Sequence, residues 1–110
     1  NLTGIIFEDA ISLFKSKIEY SLEEHIKMIE ETLYYIASNG VTTVGYVSMS
    51  PDILNILNIL RNKYGKLPIR IRAYMKPESL DYLIKLGINR GFGDDYLKIM
   101  GIKLFIDGSL

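Results

Sequence analysis

The last ten residues of the chain, Gly101-Ile-Lys-Leu-Phe-Ile-Asp-Gly-Ser-Leu110, hold the side chains best suited to chemistry. The apolar run predicts a buried strand over residues 102–106, with Lys103 inside it and an Asp107-Gly108-Ser109 turn behind it. An ammonium inside a buried strand is costly unless its charge is paired, removed or used. Alternation puts Ile102, Leu104 and Ile106 on one face, and Lys103, Phe105 and Asp107 on the other. The first face suits packing under helices. The second offers an amine and a carboxylate near the C-terminal end of the strand, where parallel α/β folds bind ligands. A structural reading stands beside this one: a strand lysine also snorkels from an edge or pairs with a nearby carboxylate.

Other candidates carry less. Gly91-x-Gly93 resembles the start of a phosphate-cradling loop, but position 96 is Tyr and the motif follows a helix rather than a strand. Asp94 and Asp95 read instead as N-caps of a short turn over residues 94–100. His25 lies beside Ile26, off the apolar stripe of its helix, and reads as a solvated or lightly packed histidine. Arg70, Arg72 and Tyr74 share one strand face. If that face lines a barrel interior, Arg70 lies deep and Tyr74 near the catalytic end. The arginines then serve as interior ion-pair members, or are solvated if the sheet is partial. Glu23, Glu24, Glu30 and Glu31 with Lys27 form a solvated helix face.

Composition narrows the chemistry. Thirteen Lys and Arg balance 13 Asp and Glu, so charge gives no reason to expect nucleic acid or an anionic membrane as partner. There is no cysteine, which removes disulfides and thiolate metal sites, and a single histidine cannot supply a His-rich site. No apolar run approaches a membrane span and no signal-peptide pattern opens the chain, so a cytoplasmic protein is expected. The abundance of Ile, Lys and Tyr, with no Cys or Trp, hints at a thermophilic source. The chain does not begin with Met and stops just past a strand, and it reads as one piece, residues 1–110, of a longer catalytic domain.

The elements that must position these residues are strongly punctuated. Residues 8–14 form a short helix candidate. Ser21-Leu-Glu-Glu24 is a capping box, followed by the stripe Leu22, Ile26, Ile29, Leu33, Ile36 and the terminator Asn39-Gly40. A β-branched strand over residues 41–47 comes next. Ser50-Pro51 opens a second helix with Ile53, Ile56, Leu57, Leu60 and Tyr64 on its apolar face, and Gly65 ends it. Residues 69–74 form another strand. Pro77 opens a third helix that Gly87 closes, a loop spans residues 91–95, and the last strand begins near Ile102. Strand starts recur about every thirty residues, the βαβ period. The fold class is therefore α/β: three parallel strands with flanking helices, under half of a (βα)8 TIM-type barrel of about 250 residues.

Three blocks, Asn39-Gly-Val-Thr-Thr-Val44, Leu67-Pro-Ile-Arg-Ile-Arg-Ala-Tyr74 and Ile102-Lys-Leu-Phe-Ile-Asp-Gly-Ser-Leu110, resemble consecutive blocks of the metal-dependent amidohydrolases. The nearest branch is the amidohydrolase-3 (YtcJ-like) group, and Leu2-Thr-Gly-Ile-Ile-Phe-Glu-Asp-Ala10 is similar to its preceding segment. The resemblance implies a distorted (βα)8 barrel that hydrolyses amide and related C–N bonds at a one- or two-metal centre. It implies that Lys103 is the lysine carboxylated to a carbamate that bridges divalent metal ions such as zinc. Their strand positions make Tyr74 and Asp107 candidates for active-site lining. The family's histidine ligands and late aspartate would fall outside residues 1–110. The chain alone is then expected to be inactive, with no metal of its own, while the whole protein takes a small-molecule substrate.

Two other readings of the same residues remain: a non-enzymatic α/β module that binds a ligand or partner through Asp107-Gly-Ser109, and a barrel enzyme using Lys103 as an amine nucleophile. A sheet cut from a barrel also leaves raw edges at strands 41–47 and 102–106, so a homodimer or other self-association is expected.

Overall fold

The computed structural model describes residues 21–106. Two helices start where side chains can accept their first free amides. Helix α1, Leu22–Ser38, is capped by Ser21, whose hydroxyl accepts the Glu24 amide at 3.1 Å. Helix α2, Pro51–Tyr64, is capped by Ser50, with Pro51 in its first turn and Gly65 left-handed at its end. Strand β1, Thr43–Met49, lies between them, and β2, Arg70–Met75, follows. Pro77 opens a 3-10 turn, Pro77–Ser79, that leads into the short helix α3, Leu80–Leu86, closed by left-handed Gly87. The two-residue strand β3, Phe92–Gly93, and β4, Leu97–Ile102, complete the order.

The sheet order is β1-β2-β4-β3, with β1, β2 and β4 parallel and β3 antiparallel to β4. The protein is thus a mixed α/β fold, a four-stranded sheet with flanking helices. Its core is one-sided. Ile71, Ala73 and Met75 of β2 and Leu97 and Ile99 of β4 are buried with Ile56, Leu57 and Leu60 of α2. The other face carries Arg70, Arg72, Tyr74 and Lys98, all exposed or half-buried. Helix α1 buries Leu33 and half-buries Ile26, Ile29 and Ile36, as its stripe predicts, whereas Leu22 is 54% exposed.

Several expectations change. The last parallel strand begins at Leu97, not near Ile102, and ends where the predicted strand starts. The Asp94 carboxylate does accept amides, from Tyr96 at 2.9 Å and Leu97 at 3.0 Å, but this Asx geometry launches a strand instead of a turn of helix. Gly101, which reads as a strand boundary, sits inside β4 opposite Tyr74, next to a register shift. Leu104 and Ile106 do not line a core face; they are 64% and 94% exposed beyond the strand. The segment read as loop 91–95 contains β3, which covers part of the β4 edge. Strands β1 and β2 lie one or two residues C-terminal of their predicted spans. The predicted helix 8–14, and Asp107, Gly108 and Ser109, lie outside the described residues.

Strand β1 ends in a second irregularity. Its register with β2 shifts between Val47 and Met49, and the extra residue, Ser48, has a left-handed φ of 60°. The Ser48 hydroxyl is buried and has no hydrogen-bond partner among the described residues. A left-handed non-glycine residue costs about 1–2 kcal/mol and an orphaned hydroxyl adds to it, against about 0.5–1 kcal/mol for glycine's extra unfolded-state entropy. Ser48→Gly should therefore stabilise the chain by about 1 kcal/mol, read as a higher urea midpoint at unchanged slope.

Candidate functional site

The three parallel strands end together, and each end is tied to the next beyond its last paired residue. The Lys76 amide donates to the Met49 carbonyl at 3.0 Å, and the Lys103 amide donates to the Met75 carbonyl at 2.9 Å. Lys103 is therefore the first residue after β4, and the ladder fixes its backbone. Because Ile102 packs against the core, alternation puts Lys103 on the open face. It is half-buried, and its ammonium stands 5.4 Å from the centre of the Phe105 ring. This differs from a lysine sunk in mid-strand: the amine reaches the rim, where desolvation is partial.

Tyr74 lies on the same face, paired with Val47 on one side and Gly101 on the other. Its ring spans both neighbouring strands. A Cβ added at Gly45 would come within 3.9 Å of it, and one at Gly101 within 3.7 Å. The glycines leave the phenol ring flat across the open face, one level below Lys103. The two register shifts, at Ser48 and beside Gly101, lie at this same end, the position in which bulges re-aim side chains around sites. Ser79, just past β2, is 4% exposed and its hydroxyl also has no partner. Neither serine stood out in the sequence, since serine carries no signal for left-handed backbone or for burial.

The arginines face the same way but belong to the opposite end. Arg72 donates to the Asp95 carbonyl at 2.8 Å, and Arg70 stacks over Tyr96 at 5.7 Å. Neither forms an ion pair with a carboxylate among the described residues; Asp95 instead meets Lys98 at 3.8 Å. The structure thus puts Tyr74 and Lys103 on one face near the C-terminal strand ends and leaves Arg70 and Arg72 toward the strand entrances. Lys63, near the end of α2, is held above the usual lysine range by a hydrogen bond and charge interaction with Tyr64. His25 is exposed on α1.

A cavity of about 900 Å³ lies elsewhere among the described residues. It opens on the helix side between α2 and β3, and its charged lining groups, Arg61 and Asp94, pair with each other at 3.3 Å. That pairing leaves no charge to hold a ligand there, so the strand ends, with an amine on the open face unpaired by any described carboxylate, make the better candidate site.

Among the described residues, no group of three or more His, Cys, Asp or Glu side chains could hold a metal ion. Lys103 offers at most one ligand, so these residues do not by themselves fit a metal centre. No helix among them is long and apolar enough to cross a membrane.

No protein-family model and no curated protein sequence matches the chain. Two solved structures do. One is an uncharacterized metal-dependent hydrolase from Pyrococcus horikoshii OT3, with 32% identity and a TM-score of 0.75 over 93% of this chain and 20% of that one. The other is an uncharacterized metal-dependent hydrolase from Pyrococcus furiosus, with 33% identity and a TM-score of 0.76 over 93% of this chain and 21% of that one. The chain therefore spans about a fifth of the length of each.

The donor set leads to a direct expectation. After zinc loading and dialysis, the 110-residue chain should retain well under one zinc per molecule by elemental analysis. Stoichiometric zinc would overturn it.

Proposed function

We propose that this chain is one section of the catalytic barrel of a metal-dependent hydrolase of the amidohydrolase-3 kind, and that Lys103 contributes one ligand to its metal centre. The observation that carries the reading is the placement of Lys103. It is tethered at 2.9 Å to the end of β2, on the open face above Tyr74, within a stretch 32–33% identical to proteins named metal-dependent hydrolases.

In this reading residues 1–110 belong to one (βα)8 domain, and β1, β2 and β4 are three of its parallel strands. The open face becomes the barrel interior and the strand ends become the catalytic rim. A divalent cation such as zinc, when bound, lowers the pKa of a water and polarises the scissile carbonyl of an amide or related C–N bond. Lys103 prepares its own part. A free lysine amine titrates at about 10.4, so it must first lose its proton. The neutral amine then adds to CO2, forming an N–C bond and releasing a proton, which leaves a carbamate with two oxygens as donors. The half-buried position leaves CO2 a route in. Tyr74, on the same open face, and Asp107, which follows in sequence, are assigned to the active-site lining in this reading. The histidines such a centre needs come from outside this chain, which has one, on α1. A small-molecule substrate enters from the rim.

In the full-length protein, Lys103→Ala should lower kcat by about a thousandfold or more, the scale on which a catalytic centre loses its organising group. The circular dichroism spectrum should be unchanged, and short-chain carboxylic acids should restore part of the turnover. Undiminished activity in the purified variant would remove Lys103 from the site.

A further inference from the structure

Strand β2 is the middle one of the three parallel strands, so its first residue has a described neighbour on each side. Two backbone bonds tie the strand entrances together. The Arg70 amide donates to the Thr42 carbonyl and the Ile71 amide to the Tyr96 carbonyl, each at 2.8 Å. Around this junction, at the end of the strands opposite Lys103, lies a pocket of about 300 Å³. Tyr34 of α1, Tyr64 at the end of α2, and Tyr96 before β4 line it together with Thr42, Lys66 and Arg70.

The frame is firm for a site built on loops. The connection from α2 to β2 starts at left-handed Gly65 and is anchored by Leu67 and Ile69, each 1% exposed, on either side of Pro68. A wall held in this way loses little freedom when a ligand arrives.

The lining offers donors in excess of acceptors. Arg70 carries five N–H donors, and among the described residues it has no carboxylate or carbonyl partner; it stands over the Tyr96 ring at 5.7 Å. The Lys66 ammonium and the Thr42 hydroxyl are also without a partner among the described residues. Carboxylates close by are engaged elsewhere. Glu30 acts on Lys63, whose ammonium is 5.1 Å from the centre of the Tyr64 ring, and Asp95 meets Lys98 at 3.8 Å. Two cations and a hydroxyl from three separate segments suit a tetrahedral oxyanion, which accepts hydrogen bonds from several directions at once. The rings add a second requirement. Tyr34 and Tyr64 are 55% and 49% exposed, so ring surface is left for a ligand to cover. We propose that this pocket binds a small phosphate monoester with a ring-bearing body, its phosphate on Arg70 and Lys66 and its ring against the tyrosines. The volume lies at the lower end of the range for small-molecule sites.

The inference does not depend on the hydrolase reading, because the pocket lies at the far end of the strands from Lys103 and its test needs no turnover. Amide chemical shifts of the 110-residue chain, titrated at constant ionic strength, report binding residue by residue. Phenyl phosphate should give saturable shifts confined to residues lining the pocket. Inorganic phosphate should shift the same amides with about fivefold weaker affinity, and phenol should not shift them at the same concentrations. Arg70→Gln should weaken phenyl phosphate about tenfold, and Lys66→Gln, at an exposed loop position, about threefold. Lys85→Gln removes the same charge from exposed α3 and should change nothing. Tyr34→Ser should abolish the advantage of phenyl phosphate over phosphate. The absence of saturable shifts with either anion would overturn the proposal. So would equal affinity for phosphate and phenyl phosphate, which assigns the pocket to free phosphate, or an equal loss in the Lys66 and Lys85 variants, which marks unspecific charge attraction.

Discussion

The structure depends on β2 being buried along one face only. Ile71, Ala73 and Met75 point to one side and are each at most 2% exposed, while Arg70, Arg72 and Tyr74 point to the other. Burying each large aliphatic side chain contributes about 1.5–3 kcal/mol. Ile56, Leu57 and Leu60 of α2 supply the cover. A one-residue slip of β2 would exchange the two sets and bury two guanidinium groups. That penalty fixes the register, and the register fixes everything displayed on the open face. The flanking strands obey it too, with Met49 held opposite Met75 and Ile99 opposite Ala73.

Obeying it requires corrections at the C-terminal end. Both flanking strands shift register there, β1 at Ser48 and β4 beside Gly101. Without these shifts the alternation would carry the wrong residues onto the core face at the last rung. With them, Met49 and Ile102 still face the helices, and Val47, Tyr74 and Gly101 line up on the other side. The cost appears as a left-handed serine with an unpartnered hydroxyl. A fold selected for stability alone has little reason to keep such a residue, and local strain of this kind gathers at sites.

How much of this was legible follows from where the information lies. Ser21, Ser50-Pro51, Gly65 and Gly87 act through hydrogen bonds and backbone angles within a turn of themselves, so α1, α2 and the end of α3 could be read directly. The stripe of α1 also held, except at Leu22, which is exposed in the first turn. Strand β4 could not be read the same way. Its segment, Leu-Lys-Ile-Met-Gly-Ile, alternates over only its first three residues, and its pairing partner is β2, about 25 residues away in the chain. Asp94 accepts the same two amides whether a helix or a strand follows, so its type gave no direction. The candidate lysine was identifiable by type and neighbourhood, but its depth was not, because depth depends on where β4 ends.

That depth matters to the chemistry. In mid-strand, an amine on the open face would lie among the side chains of the neighbouring strands, as Arg72 and Lys98 do around Asp95. One residue past the last rung, Lys103 has its backbone fixed by Met75 and its half-buried side chain 5.4 Å from the centre of the exposed Phe105 ring. A flexible four-carbon stem is a poor ligand until something orients its head, and metal ligands are generally held by a second layer of partners. The ladder sets the position of the amine to within a side chain's reach. Its direction must come from groups that converge on the rim from other strands. The described residues therefore place the amine without orienting it, on an open face that holds cations at both ends and few carboxylates to meet them.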